Sequence, residues 1–410
     1  MPADIDDRIR AALEELLRRT HLSAPSDLAA VATGQAEASL GARDAALYLI
    51  DYDQETLLPM PGQESSDLQP LSVAGTVAGR TFSNTTIVAT PGEREGERRL
   101  WLPLLDGTER LGVIGMSFAQ EDVSDRLVEA CERYAHAVAM TMVCKNQYGD
   151  AFETIRRRRP MTIASELVWG LAPPLVFATD DLTLGALLEP CYDNGGDALD
   201  YAINGRVLHV GIFDAMGHGL TAAGVAAFAL AAYRHSRRAG MDLIATHAAM
   251  DEAVGLQFPD DRFVTAVIAQ LDLDTGALTW IGAGHPPPLL IRGGRRMRTL
   301  QLASVAPLGA GVPGTPVVAE EALEPGDLLL FYTDGLTEAR APDGEPLTLD
   351  GISRFIEREA AAGQTAPETL RRIRHALIGR ERAQLRDDAT ALLAEWRAGD
   401  ERRLMPQTVL

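Results

Sequence analysis

Four short clusters in the second half of the chain combine aspartate with glycine in a way suited to holding a hard cation. They are Gly195-Gly196-Asp197, Asp214-Ala215-Met216-Gly217-His218-Gly219, Tyr332-Thr333-Asp334-Gly335 and Asp387-Asp388-Ala389-Thr390. The apolar run Val207–Phe213 leads into Asp214, and Leu328–Tyr332 leads toward Asp334. Such runs read as buried strands that stop at a turn. Carboxylates gathered at strand ends repel one another unless a cation sits between them. All-oxygen ligands, without paired His or Cys, point to Mg²⁺ or Mn²⁺. Taken singly, each Asp reads as readily as a turn former or a helix cap. The metal reading rests on four clusters in one order, at plausible strand and helix separations.

The whole series, GGD, DxxGHG, AGHxPPLL, PLG, FYTDGLTEA and DDxT, resembles that of the SpoIIE/RsbU-type serine/threonine phosphatases. These belong to the metal-dependent protein phosphatase 2C (PPM) superfamily, and the resemblance spans roughly residues 180–397. It implies two Mn²⁺ or Mg²⁺ ions and a catalytic set of Asp197, Asp214, Asp334 and Asp387. Asp214 would bridge the metals, Asp197 would bind one, and Asp334 with Asp387 would complete the second site. Ala215 would contribute its backbone carbonyl. Asp388 takes the place of Asp387 if the pairing slips by one residue, and Asp200 supports the site or the fold. The chemistry implied is hydrolysis of a phosphomonoester by a water whose pKa two metals lower, without a covalent intermediate. No catalytic Cys or Ser is then required.

Gly217 and Gly219 fit a tight turn and a close approach to the metals. His218 reads as a general acid or as a supporting donor. The position two residues after Asp214 is Met216, so the group that protonates the leaving oxygen stays unassigned. His285 reads as a structural loop residue, and no Arg occupies an obvious phosphate-binding motif position.

These clusters must be carried by a scaffold, and the chain is long enough to supply one. Its 410 residues suggest two or three domains, and a hydrophobic fraction of 46% suffices for buried cores. Against 58 acidic residues stand 38 basic ones, a net charge of −20, which disfavours nucleic acid as a partner. The three cysteines, Cys131, Cys144 and Cys191, match no zinc spacing and build no disulfide framework. With no signal-peptide core and no apolar run of membrane-spanning length, the expectation is a cytoplasmic protein without membrane contact.

Residues 1–150 read as an α/β domain. Ile5, Ile9, Ala12, Leu13, Leu16 and Leu17 repeat at helical spacing, and Ala45–Asp51, Arg99–Leu104 and Leu111–Phe118 read as strands. The pair Leu100–Leu104 and Glu109–Ile114, with Gly107 between, is similar to the paired strands of a GAF domain. That resemblance implies a sensor with a non-covalent small-molecule ligand or none. Residues 1–130 hold no Cys for a thioether-linked chromophore and one His, His21. A long helix from about Val123 to Ile155 follows. Its stripe through Val128, Cys131, Tyr134, Ala135, Val138, Met142 and Val143 reads either as a core face or as a homodimer seam. Arg156–Arg159 read as a solvated helix end.

Residues 151–180 read as a helical linker with a short helix at Ile163–Leu171, bracketed by Pro160 and Pro173-Pro174. From 181 to 397 the chain alternates strands and helices, and 398–410 reads as a disordered tail. Periodicity alone gives α+β; the resemblance sharpens this to an α/β/β/α sandwich. Three functions remain open. One is an active phosphatase under control of the N-terminal domain, which the family resemblance would aim at phosphoserine or phosphothreonine on a STAS-type anti-sigma factor antagonist. Another is an inactive pseudophosphatase scaffold. The last is a metal-dependent phosphomonoesterase for small molecules.

Overall fold

The computed structural model describes residues 5–63, 68–259, 262–293, 296–301, 305–338, 348–375, 387–397 and 407–409. The chain divides into two compact units, residues 1–159 with 403–410, and residues 160–402. No described helix is long and apolar enough to cross a membrane.

The first unit opens with α1 (Ile5–Thr20) and α2 (Leu28–Gln35), then β1 (Asp44–Ile50), β2 (Thr56–Pro59) and β3 (Leu71–Ser72). After α3 (Val77–Asn84) come β4 (Thr86–Pro91), β5 (Glu97–Asp106) and β6 (Glu109–Ala119), and then α4 (Asp125–Asn146) and α5 (Ala151–Arg156). Strand β1 is buried on both faces, so its period of two sorts residues between two cores. Leu47 and Leu49 join the core under α1, α2 and α4, whereas Ala46, Tyr48 and Ile50 pack with Phe82 of α3.

Three expectations change here. The long helix is interrupted between Asn146 and Ala151. The proposed dimer seam is also corrected: Val128, Ala135, Val138 and Met142 are buried in the unit's own core. The sheet needs that apolar stripe to cover its face, so it cannot also face a second copy. The basic run is not simply solvated either. Arg156 donates to the Ile50 carbonyl and lies over the Tyr52 ring, and Arg158 stands 3.7 Å from buried Asp51.

The second unit begins with α6 (Ile163–Leu171), β7 (Val176–Thr179), β8 (Leu182–Glu189), β9 (Asp197–Asn204) and β10 (Val207–Ala215). Helices α7 (Gly219–Arg238) and α8 (Leu243–Gln257) precede β11 (Val264–Asp272), β12 (Ala277–Ala283), β13 (Leu289–Arg292), β14 (Arg296–Thr299), β15 (Ala319–Ala322) and β16 (Asp327–Tyr332). Helices α9 (Asp334–Glu338), α10 (Leu349–Ala361) and α11 (Ala366–Ile373) precede β17 (Ala389–Trp396). Two antiparallel sheets result, in the orders β15-β12-β11-β10-β9 and β14-β13-β16-β17-β8-β7.

One core fills the space between the sheets, with Leu199, Ile212 and Val267 from the first and Leu184, Phe331 and Leu392 from the second. The outer face of the five-stranded sheet packs on α7 and α8 through Phe213, Ala226, Leu230 and Met250. The outer face of the six-stranded sheet packs on α10 and α11 through Leu330, Leu393, Ile356 and Leu370.

Residues 151–180 do not form a separate linker. Helix α5 places Phe152 in the first unit's core, while α6 packs Ala164 and Val168 on Leu188 and Ala223 of the second. Of the tail, 398–406 and 410 lie outside the described residues. Gln407–Val409 form β18, which pairs parallel with β4 and completes a seven-stranded sheet in the first unit, in the order β18-β4-β5-β6-β1-β2-β3.

Candidate metal centre

Strands β9 and β10 pair in a register that sets Asp197 opposite Asp214, and β11 sets Thr265 opposite Asp214. Residues directly opposite on adjacent strands share a face. The alternation identifies it. Ala198 and Phe213 point to the helix side, so Asp197, Asp214 and Thr265 lie on the face toward the other sheet.

That second sheet supplies the remaining acids. Asp334 opens α9 just after β16, and Asp387 and Asp388 immediately precede β17. Because β16 and β17 are antiparallel neighbours, the end of one lies beside the start of the other. Four elements from two sheets therefore bring the expected acids together.

Thr333 joins the two sheets at this end. Its hydroxyl donates to Asp197 Oδ2 at 2.7 Å and accepts from the Thr390 backbone N–H at 2.9 Å. The Thr333 N–H donates in turn to the Thr390 carbonyl at 3.0 Å. His285 makes a second link. Its Nε2 lies 3.0 Å from the Tyr332 carbonyl, which can only accept, so Nε2 carries the proton and Nδ1 accepts from the Thr265 hydroxyl at 2.8 Å. Thr265 Oγ1 is in turn 3.4 Å from Asp214 Oδ2. Burial pushes the His285 pKa down to about 4, keeping the ring neutral.

The acidic pair at Asp387-Asp388 divides its work. Asp388 is buried, and its Oδ2 accepts from the backbone N–H groups of Gly195 and Gly196 at 2.8 and 2.5 Å. It thus holds the glycine turn that delivers Asp197. Asp387 is exposed at the mouth, and its Oδ1 accepts from the Asp388 N–H. The turn itself is crowded. A Cβ on Gly195 would stand 2.5 Å from the Gly219 nitrogen, and one on Gly196 would stand 3.1 Å from the Ala215 carbonyl oxygen. Gly217 and Gly219 adopt φ of +94° and +74°, the left-handed backbone that the tight turn after Asp214 requires.

Asp200 has a separate role. It is buried and paired with Arg234 at 2.7 Å and Arg237 at 2.6 Å, which fastens α7 to β9. Arg234 also donates to the Leu171 carbonyl at the end of α6. The start of α6 reaches the site as well, since the Ser165 hydroxyl donates to the Asn194 carbonyl next to Gly195. His218 is exposed at the N-cap of α7 and makes no side-chain capping bond.

The electrostatics show what the cluster lacks. Asp197 is pushed well above the ordinary carboxylate range by burial, then by Asp214 and Asp388, with Thr333 opposing. Asp214 is raised to about 7 by burial, then by Asp334 and Asp387. Burial and Asp387 raise Asp334 too. Among the described residues no three acidic, His or Cys side chains stand grouped tightly enough to enclose an ion as they are. The donor set nevertheless fits one: hard oxygens only, with mutual repulsion that a cation would relieve. Asp197, Asp214, Asp334, Asp387 and the Ala215 carbonyl are the groups that would hold it.

Residues 204–397 match the model of the family Stage II sporulation protein E (SpoIIE). The match contains Asp214, Asp334 and Asp387 and begins seven residues after Asp197. The chain is 30% identical over 137 residues to Protein IcfG of Synechocystis sp., covering 33% of this chain and 21% of that protein. It is 23% identical over 213 residues to the phosphoserine phosphatase RsbU of Bacillus subtilis, covering 52% and 62% respectively. The chain thus spans less than two thirds of the length of either curated relative. A crystal structure of the RsbU and RsbW domains of a Mycobacterium tuberculosis protein aligns with a TM-score of 0.46 and 27% identity, over 56% of this chain and 63% of that one.

Proposed function

We propose that this chain, whose residues 204–397 match the SpoIIE family model, is a metal-dependent serine/threonine phosphoprotein phosphatase. The observation that carries this reading is the convergence of Asp197, Asp214, Asp334 and Asp387 from the facing ends of two sheets. Two Mn²⁺ or Mg²⁺ ions, when bound, supply charge neutralisation for the phosphoryl oxygens and an acidified water. The chain's own residues do the rest. Half-buried Asp214 and buried Asp197 stand side by side and repel one another when ionised, which selects cations and creates the demand for them. Thr333, Asp388 and His285 fix the carboxylates through hydrogen bonds and through the backbone that carries them. Exposed Asp334 and Asp387 leave the mouth open to a phosphorylated side chain on a protein surface. A helix–sheet–sheet–helix layering accords with this assignment.

The partner proposed is a phosphorylated STAS-type anti-sigma factor antagonist, in keeping with the likeness to RsbU. The first unit is proposed as a GAF-like sensor, and α6, bonded both to Asn194 and to Arg234, is the element through which it would act on the site. A homodimer remains part of this reading, through a surface other than the buried α4 stripe. The test is turnover by the full chain of a phosphoserine peptide and an aryl phosphate with Mn²⁺ or Mg²⁺. Loss in EDTA and recovery on adding metal are expected. Full turnover in chelator would overturn the metal-dependent reading, and metal binding without any turnover would indicate the scaffold instead.

A further inference from the structure

The acidic site must receive a dianion, and the sequence offers no motif arginine to meet it. The fold supplies one from a different place. Arg262 sits in the segment that leads into β11, at the end of the sheet where the turn after Asp214 lies. Its Nη1 would stand 3.7 Å from a Cβ on Gly217, an ordinary contact distance that sets the guanidinium beside the turn.

The backbone that carries Arg262 is held on both sides. The next residue, Phe263, accepts at its carbonyl from the Met216 N–H at 3.1 Å. Val264 exchanges two backbone bonds with Leu308 at 3.0 and 2.8 Å, and the Arg262 carbonyl lies 3.2 Å from a Cβ on Gly309. The side chain is half-buried and forms no hydrogen bond or ion pair among the described residues. Arg234 and Arg237, by contrast, are committed to Asp200. A guanidinium with unspent donors, carried on a held backbone beside the turn that follows Asp214, has one evident use, because its planar fork matches phosphate oxygens.

We propose that Arg262 binds the phosphoryl group of the substrate at the rim of the site. The proposal rests on the phosphatase reading above and assigns it a substrate-binding residue. Full-length Arg262→Ala and Arg262→Lys are compared with the parent chain in Mn²⁺, using an aryl phosphate as substrate and inorganic phosphate as ligand. A charge-assisted hydrogen bond at a partly exposed position is worth about a tenfold change at the lower end of its range. The expected result for Arg262→Ala is a KM for the aryl phosphate raised about tenfold, with kcat changed less than about threefold. The calorimetric Kd for inorganic phosphate should rise in parallel, and Arg262→Lys should recover part of both.

An unchanged phosphate Kd in Arg262→Ala would overturn the proposal. So would a KM for the aryl phosphate that does not rise. Absence of turnover by the parent chain would count against the phosphatase reading alone, because phosphate calorimetry tests Arg262 without catalysis.

Discussion

Asp214 stands between two groups of charges, with Asp197 across the strand pair and Asp334 and Asp387 from the other sheet. Replacing it with Asn removes the charge shared by both proposed metal positions. Asp214→Asn is expected to lose at least about a hundredfold in rate, since changes to groups that merely support ligands cost 10–100-fold. Asp200→Asn should behave differently. It leaves Arg234 and the buried Arg237 without their partner, so the main effect should be lower stability, by about 3 kcal/mol in denaturant melts, with a smaller loss of rate. Reversal of that order would mean the ligand assignment is wrong. Gly335 offers a purely steric test. Its φ is not positive, but a Cβ there would stand 1.9 Å from the Asp388 carbonyl oxygen. Gly335→Ala must therefore displace Asp334 or the Asp387-Asp388 segment. Weaker Mn²⁺ binding by calorimetry is expected, even if the chain still folds.

Among the elements, the join between β16 and β17 governs how the two halves of the site meet. Thr333→Val keeps the shape of the side chain but removes the donor to Asp197 and the acceptor for the Thr390 N–H. A buried N–H left unpaired costs about 1–3 kcal/mol, so a lower melting midpoint and weaker metal binding are expected together. A change in neither would show that the two sheets are held at this end by other means. This join was not legible in the sequence, although Thr333 and Thr390 both lie inside the quoted motifs. Motif spacing shows where a chain turns, not which hydroxyl reaches across between sheets. Elements with a strong period were legible: α6 was expected at Ile163–Leu171 and is found there. Strand β9 lacks such a signal, because Gly195-Gly196-Asp197 reads as a turn and the turn ends at the residue where the strand begins. The α4 stripe showed a true apolar face, but periodicity cannot say what covers it. Arg262 had no local signal, since its relation to Gly217 exists only once β10 and β11 have paired.

At the scale of the whole molecule, the acid cluster makes stability depend on pH and metal. Asp197, Asp214, Asp334 and Asp388 all titrate above their ordinary range in the metal-free chain, burial being the first cause for each. A raised folded pKa means the folded state holds protons that the unfolded state has released. Stability from these groups is complete below about pH 4 and is lost as pH rises through about 7 for Asp214. His285 acts in the opposite sense, losing its contribution as pH falls from about 6.5 toward about 4. Between pH 6.5 and 8 only the carboxylates matter of these two. The metal-free chain is therefore expected to melt lower at pH 8 than at pH 6.5, by about 2–4 °C for each kcal/mol lost. Mn²⁺ should raise the melting temperature more at pH 8. An equal Mn²⁺ shift at both values would argue against cation relief of the cluster.

Strand β18 gives the chain a topology that a simple two-domain order lacks. The second unit leaves the first after Arg159, and the chain returns to it at Gln407–Val409, so the second unit is an insertion within the first. Two covalent crossings, not one, connect them. A single proteolytic cut near Pro160 would leave the fragments associated through the parallel pairing of β18 with β4, and a second cut before Gln407 would be needed to part them. An N-terminal truncation at residue 150 would strip β18 of its partner strand and remove most of the unit it completes. A fusion placed after Leu410 would load the edge of the first unit's sheet rather than an idle tail.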